Sequence, residues 1–441
     1  ESFWNNFESL KEEENLNSFF WLNLISRKND GVAIQQIISI WIKNNIKYKN
    51  KNWSNLLISK RIIAWILNSD IILNNTNKSF KENFFNSIIF QINHLNKNLD
   101  DERNPEKKIE VVSAIILSGL VFKEYNSNFE KGIKILKSIV ESFFDNDGCP
   151  ANRNIYDLVQ CSKFLVLIKE CCKDAQEYIP DFLDDIVDKQ IDCLFSLQTP
   201  TNKNPLFNGA SEFKINNYLE YLTGLKYKSN RIINNINQIY IGRGKKNLLF
   251  FDVGSPPAKK YSKNYQSGPL SFEYFIDNYK IITNCGFGHK ISKKAETISR
   301  LTSAQSTLCL NDSSVAKFEK NNLIDTAFGT SITNSFKVSD LKINDDKNYL
   351  TISAGHNAYE ANFNYTHKRM IKIDKKNSNL LGEDSLLALN ENNKSINKYS
   401  IRFHLYPGVT AVQTMGKNKI LIQIEKNKSL LFVTNEDNLI L

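Results

Sequence analysis

The hydrophobic period of this chain changes once, between residues 226 and 242, and that change limits its possible folds more than any other feature. In "GVAIQQIISIWIKNNI" the apolar residues Ile34, Ile37, Ile38, Trp41 and Ile42 recur at three- and four-residue steps. Such spacing lays one stripe along a helix, with Asp30 as its expected cap. "RIIAWILNSDIIL", "EVVSAIILSGLVF", "KGIKILKSIVESFF" and the run from Tyr156 to Cys172 read the same way. No fixed repeat links them, so residues 1–230 are expected to form successive helical hairpins. After Gly242 the runs shorten and alternate. "NLLFFDVGSPP" is a strand stopped by Pro256 and Pro257, and "FEYFIDNYKIITNCG" is a hairpin turning at Asp277-Asn278. "YLTISAG", "SIRFHLYPGVTAV", "KILIQI" and "SLLFVTN" continue the pattern. Closely spaced strands without intervening helices predict an antiparallel β-sandwich over residues 231–441. "DDERNPEKK" and "NENNKSINKYS" are expected to be loops.

Composition narrows the function classes. The 441 residues are 24% charged and 41% hydrophobic, ordinary for a soluble globular chain of two or three domains. The net charge of +10 suits a polyanionic partner, but the lysines are scattered, which argues against a nucleic-acid surface. No apolar run reaches the ~18 residues a membrane-spanning helix needs. The chain begins at Glu1 rather than methionine, as a piece of a longer protein would, so a missing leader carries no information on export. Its seven cysteines lack C-x-x-C or Cys/His zinc spacing and read as buried small hydrophobes. Histidines number five. His94 reads as a helix-surface residue and His289 as a loop residue, whereas His356, His367 and His404 share the β half with tyrosines and arginines.

Twelve stretches carry a resemblance when taken in order: "NSFFWLNLISRKND", "IISIWIKNN", "KRIIAWI", "DGCPANRNIYDLVQ", "LFNGA", "LLFFDVGSPP", "GPLSFEYF", "IITNCG", "RLTSAQSTL", "HKRMIKID", "LLGEDSL" and "IRFHLYPGV". Over nearly the whole chain they are similar to bacterial heparinase II/III-like proteins. The resemblance implies an incomplete α/α toroid followed by an antiparallel β-sandwich, with a site between toroid cleft and sheet edge. It also implies a polysaccharide lyase that cleaves uronic-acid-containing glycans by β-elimination. In that reaction donors must neutralise the uronate carboxylate before a base can take the C5 proton and an acid protonate the departing oxygen.

Carried over residue by residue, the resemblance makes Tyr156 of "DGCPANRNIYDL" the expected proton-transferring group, with Arg153 one turn earlier and Asn208 of "LFNGA" as substrate donors. Where relatives have a histidine before the "LSFE" strand and another before the "ST" pair, this chain has Gln266 and Gln305. Arg300 and the two glutamines are expected to hold the carboxylate. His356, Tyr359 and His404 form a second group, with His356 and His404 as the alternative catalytic residues and Tyr359 as a binding residue, or with all three only bracing the sheet. Some relatives hold a structural zinc near these strands, but Gln266, Asn284 and Gln305 are poor ligands for it, so neither metal nor cofactor is expected. The resemblance favours the periplasm or cell envelope. Two alternatives stay open: a glycan-binding protein that has lost catalysis, and a glycoside hydrolase using carboxylates such as Asp147, Glu212 and Glu273.

Overall fold

The computed structural model describes residues 10–25, 31–46, 48, 52–319, 330–377, 379–390, 398–415, 418–436 and 439–441. Asp30 and the centre of "NENNKSINKYS" lie outside them. The chain packs as two compact units: Glu1–Phe144 with Val159–Asp188, and Asp145–Leu158 with Lys189–Leu441. Packing therefore assigns residues 145–158 and 189–230 to the same unit as the strands, whereas the change of period divides the chain at 230.

The first unit is helical. Helices Gly31–Asn44, Asn55–Leu67, Lys78–Lys97, Pro105–Val121 and Asn126–Phe143 follow one another. "RIIAWILNSDIIL" is two helices rather than one. Asn68 ends the first by donating from Nδ2 to the Ala64 carbonyl, and Ser69–Leu73 follows. "DDERNPEKK" is only half loop, because Pro105 opens a helix where its missing N–H would be unpaired anyway. Helices Pro105–Val121 and Asn126–Phe143 approach closely at Gly119, where an added Cβ would sit 2.3 Å from the Phe129 amide nitrogen. The core of the unit is aromatic, with Trp41 and Trp65 edge to face at 5.6 Å. Arg61 lies over the Trp41 ring at 4.1 Å, fully buried, and donates to the Asn17 and Asn52 carbonyls. Burial pushes its pKa down to about 9.

The second unit is built on antiparallel sheets. One has six strands in the order Asn235–Ile236, Ile239–Arg243, Asn247–Asp252, Phe272–Ile276, Tyr279–Thr283 and His404–Leu405. A second has four, Leu380–Ala388, Tyr365–Asp374, Tyr349–His356 and Val338–Asp345. A third joins Thr410–Gln413, Lys419–Glu425 and Lys428–Val433. Tyr240, Leu249, Phe251 and Phe272 of the six-stranded sheet pack in one apolar core with Leu350, Ile352, Ile371 and Ile373 of the four-stranded one. Gly242 sets the spacing, since a Cβ there would lie 2.7 Å from Leu350 Cδ2. All six residues of Asn247–Asp252 are buried, so both faces of that strand are covered. The expected hairpin turns where it should, with Asp277 at φ 50. Among the described residues the α-helices between the strands are short, Lys293–Ser299 and Glu360–Phe363, and Ile215–Gly224 precedes the first strand.

Candidate active site

The helix Ile155–Asp174 begins in a turn dense with side-chain caps. Asp145 Oδ1 accepts from the amides of Asp147 (3.0 Å) and Cys149 (2.8 Å), and Gly148 takes φ +81, which a side chain would resist. Asn152 Oδ1 accepts from the Asn154 amide at 3.0 Å. Asn154 Oδ1 accepts from the Tyr156 amide at 2.9 Å, so Asn154 caps the helix. Tyr156 is half-buried in its first turn. Its ring meets Phe213 edge-on at 5.6 Å, and Lys290 Nζ lies 5.8 Å from the ring centre.

Asn208 and Gly209 sit beside this helix start. A Cβ on Gly209 would lie 3.1 Å from Asn154 Nδ2 and 2.6 Å from the Asn264 Cβ. Asn208 takes φ 53, is 2% exposed, and its Nδ2 has no hydrogen-bond partner among the described residues. A buried amide N–H₂ left unbonded is a donor awaiting an acceptor.

Other expected donors are already engaged by the protein. Arg153, at φ 61, donates from Nε to Asn237 O (3.0 Å), from Nη1 to Ser255 O (3.1 Å) and from Nη2 to Asp252 Oδ1 (2.5 Å). Arg300 donates to the carbonyls of Tyr265 and Ser262, both at 3.0 Å, and to Thr330 Oγ1, with Phe318 stacked on it. Both arginines are under 5% exposed. Gln266 Oε1 accepts from the Gly209 amide at 3.0 Å, and its Nε2 donates to Gly286 O (2.9 Å) and Ser299 O (2.8 Å). Gln305 Nε2 donates to the same Ser299 carbonyl at 2.9 Å. This corrects the expected substrate-donor role of Arg153 and the carboxylate-holding role of Arg300, Gln266 and Gln305: their bonds end on the protein, and Gln266 holds the Gly209 amide next to Asn208. Asn284 Oδ1 is likewise taken by the protein, accepting from the Ser306 amide at 2.9 Å.

The three amides do not fit zinc. Gln266 offers its only acceptor oxygen to a backbone amide, and both glutamines present N–H₂, not a lone pair, to their shared neighbour. Among the described residues no three His, Cys, Asp or Glu side chains form a metal-holding group.

The description "Heparinase II/III N-terminus" matches residues 28–230, and "Heparinase II/III-like, C-terminal" matches 234–441. The chain belongs to the heparinase II/III family. No curated protein matches it. Among solved structures it is similar to heparan sulfate lyase HepC from Pedobacter heparinus. The two are 15% identical, with 96% of this chain and 69% of that one covered at a TM-score of 0.66. A heparinase III structure is 13% identical, covering 96% and 68%, at 0.69. The shared fold is an incomplete α/α toroid followed by an antiparallel β-sandwich.

In this heparinase II/III family member the β-half histidines do not gather at Tyr156. His356 and His367 face each other across adjacent strands, both buried. The Ala358 amide donates to His356 Nδ1 at 3.2 Å, so His356 carries its proton on Nε2. That proton goes to His367 Nδ1 at 3.0 Å, and His367 Nε2 in turn donates to Asp384 Oδ1 at 2.6 Å. Burial, with neighbouring positive charge, lowers the pKa of His356 well below its ordinary value, and burial lowers that of His367. Arg369 grips Asp384 through Nε (2.8 Å) and Nη2 (2.9 Å), and its Nη1 donates to the carbonyls of Leu270 and Ser306. Tyr359 joins this chain: buried, 5.3 Å from the His356 ring, it donates its hydroxyl to Leu308 O at 2.9 Å. The expected catalytic role of His356 and binding role of Tyr359 are thus corrected to bracing. His404 stands apart from them, half-buried, with Nε2 3.1 Å from Ser303 O.

Sequence reasoning missed Lys290, whose ammonium lies 5.8 Å from the centre of the Tyr156 ring, and a second phenol. Tyr406 donates to Glu212 Oε1 at 2.9 Å and is hydrogen-bonded by Lys203, and Glu212 precedes the Phe213 that packs on Tyr156. Only the "LYPG" turn hints at Tyr406, and nothing marks Lys290. A cavity of about 390 Å³ lined by Phe195, Gln198, Ile232 and Arg243 includes none of these groups.

Proposed function

We propose that this chain cleaves a uronic-acid-containing glycan by β-elimination, with Tyr156 as the proton-transferring residue and Asn208 as a donor to the uronate carboxylate. The observation that carries the assignment is the pairing, beside one helix start, of a half-buried tyrosine with a buried amide that has no partner among the described residues. Tyr156 as phenolate takes the C5 proton. The C5–H electron pair becomes the C4–C5 double bond, the C4–O bond breaks, and the departing oxygen takes that proton from the Tyr156 hydroxyl, which restores the phenolate. Asn208 Nδ2 stabilises the carboxylate oxygens as charge develops on them, and Lys290 supplies positive charge at the same rim. Gln266 fixes the loop that presents Asn208, and neither it nor Gln305 touches substrate. We place the activity in the periplasm or cell envelope, as the family resemblance favours.

The test is a screen of alginate, heparan, hyaluronan and bacterial exopolysaccharides at several pH values, followed in the near ultraviolet. Elimination yields an absorbing unsaturated uronate. Reducing ends without absorbance would instead show a hydrolase, and binding without any product a protein that has lost catalysis.

A further inference from the structure

We infer that Cys149 and Cys193 are a cross-linking site, closed to a disulfide by a disulfide-bearing oxidant as the chain folds. Cys149 lies in the turn that leads to Tyr156, and Cys193 in the helix Asp181–Ser196. Their sulfurs are 3.6 Å apart although the residues are separated by 44 positions. Both are buried, at 1% and 0% exposure. The surroundings already hold turn and helix together. Gln190 Nε2 donates to the Gly148 carbonyl at 3.1 Å, and Cys193 Sγ donates to the Asp147 carbonyl at 3.3 Å. A Cβ on Gly148 would meet Lys189 Cβ at 3.0 Å, so the two backbones are pressed close. Closing the bond moves the sulfurs about 1.5 Å nearer, to the ~2.05 Å of a disulfide, within reach of side-chain rotation.

One cysteine, as thiolate, attacks the oxidant's disulfide and releases one thiol of the oxidant. The second then displaces the other half from the mixed disulfide. Two protein thiols lose two protons and two electrons, and the oxidant is reduced to two thiols. Once folded, the Cys149 thiol is shielded: its hydrogen bond with Cys193 and its burial both raise its pKa. Closure therefore belongs to folding, or to opening of the turn, rather than to the closed native state. The cross-link would anchor the segment that carries Tyr156, and the inference stands whether or not Tyr156 is catalytic.

The experiment produces the full chain twice, exported to an oxidising bacterial periplasm and retained in a reducing cytoplasm. Each sample is unfolded in excess alkylating agent and digested without reductant. In the exported sample we expect five of the seven thiols to be alkylated, the other two being joined as a Cys149–Cys193 peptide pair. Its melting temperature should be higher by about 5 °C, a gain removed by dithiothreitol. Seven alkylated thiols, or a bond between other cysteines, would overturn the inference. Because Cys149→Ala or Cys193→Ala variants could unfold, the unaltered protein is also equilibrated in glutathione mixtures. The cross-linking constant should be about 100-fold higher under native conditions than in urea. Equal constants would also overturn it.

Discussion

Two neighbourhoods of the second unit contain the same kinds of polar side chain and differ in what those side chains have left to give. Around the Ser299 carbonyl, Gln266 and Gln305 spend their amides on backbone groups; elsewhere Arg300 donates to main-chain carbonyls and Arg153 to carbonyls and the Asp252 carboxylate. Around Asn208 a buried amide is unbonded among the described residues and a tyrosine is only half covered. An arginine or glutamine can contribute to substrate only the hydrogen bonds the fold has not used. In the first neighbourhood the glutamine and arginine donors are spent; in the second the Asn208 amide nitrogen is not.

The sharpest way to break that contrast is to remove the Tyr156 hydroxyl. Tyr156→Phe should lower kcat about 10⁴-fold, with glycan affinity and unfolding midpoint nearly unchanged, as read by product absorbance and urea titration. Full activity in this variant would move the base elsewhere, with Tyr406 the next to test. Arg153→Met should act in the opposite register. It leaves Asp252 buried without its partner and should cost about 4 kcal/mol of stability by urea unfolding. If it instead lowered only turnover, Arg153 would belong to the second neighbourhood.

Asn208→Ala should reduce kcat/KM about 100-fold and cost about 1 kcal/mol of stability, because alanine resists the left-handed backbone there while the lost Nδ2 has no partner among the described residues. A larger stability loss with intact turnover would mean that the amide is structural after all. Acid sharpens the contrast again. His356 and His367 have lowered pKa values when folded, so below their ordinary value of about 6.5 the unfolded chain binds more protons and stability falls. Between pH 7.5 and 5.5 each histidine that stays neutral should remove about 1.4 kcal/mol, measured as a falling urea midpoint. Asp384 is depressed by Arg369 and His367, so its contribution persists through that window and is lost only as pH falls below about 4. The smallest effect is reserved for the first neighbourhood: Gln305→His should change turnover less than about threefold, since that position does not reach substrate. A large gain in activity would show that it does.

The fold was legible where it depends on period and punctuation. Ile34, Ile38 and Trp41 face inward as their spacing requires, and the Asp277-Asn278 turn closes its hairpin. The break at Asn68 was not, because apolar residues continue across it and only the side-chain bond to Ala64 stops the helix. At the site, Tyr156 and Asn208 are legible only as members of short motifs; the first lies in the opening turn of the helix Ile155–Asp174 and the second beside that turn. Arg153, Arg300, Gln266 and Gln305 were misread for a physical reason: their partners are mostly main-chain carbonyls and amides, which every residue owns and no residue type reveals. The His356–His367 and Arg369–Asp384 contacts depend on strand register, which a shift of one residue would have dissolved.

The left-handed Arg153 also bears on the order in which the molecule assembles. Its partners follow it by 84 residues at Asn237, 99 at Asp252 and 102 at Ser255. Contacts so distant along the chain form late, after the local helices have had every opportunity to close. A nascent chain that has not yet produced the strand Asn247–Asp252 can coil its helix from Ile155 onward and close the local bonds of the turn before it, yet Arg153 still lacks its partners. Competence for chemistry at Tyr156 thus arrives with the sheet rather than with the helix that bears the residue. A ribosome stalled a few residues short of Asp252 should release a helical and inert intermediate.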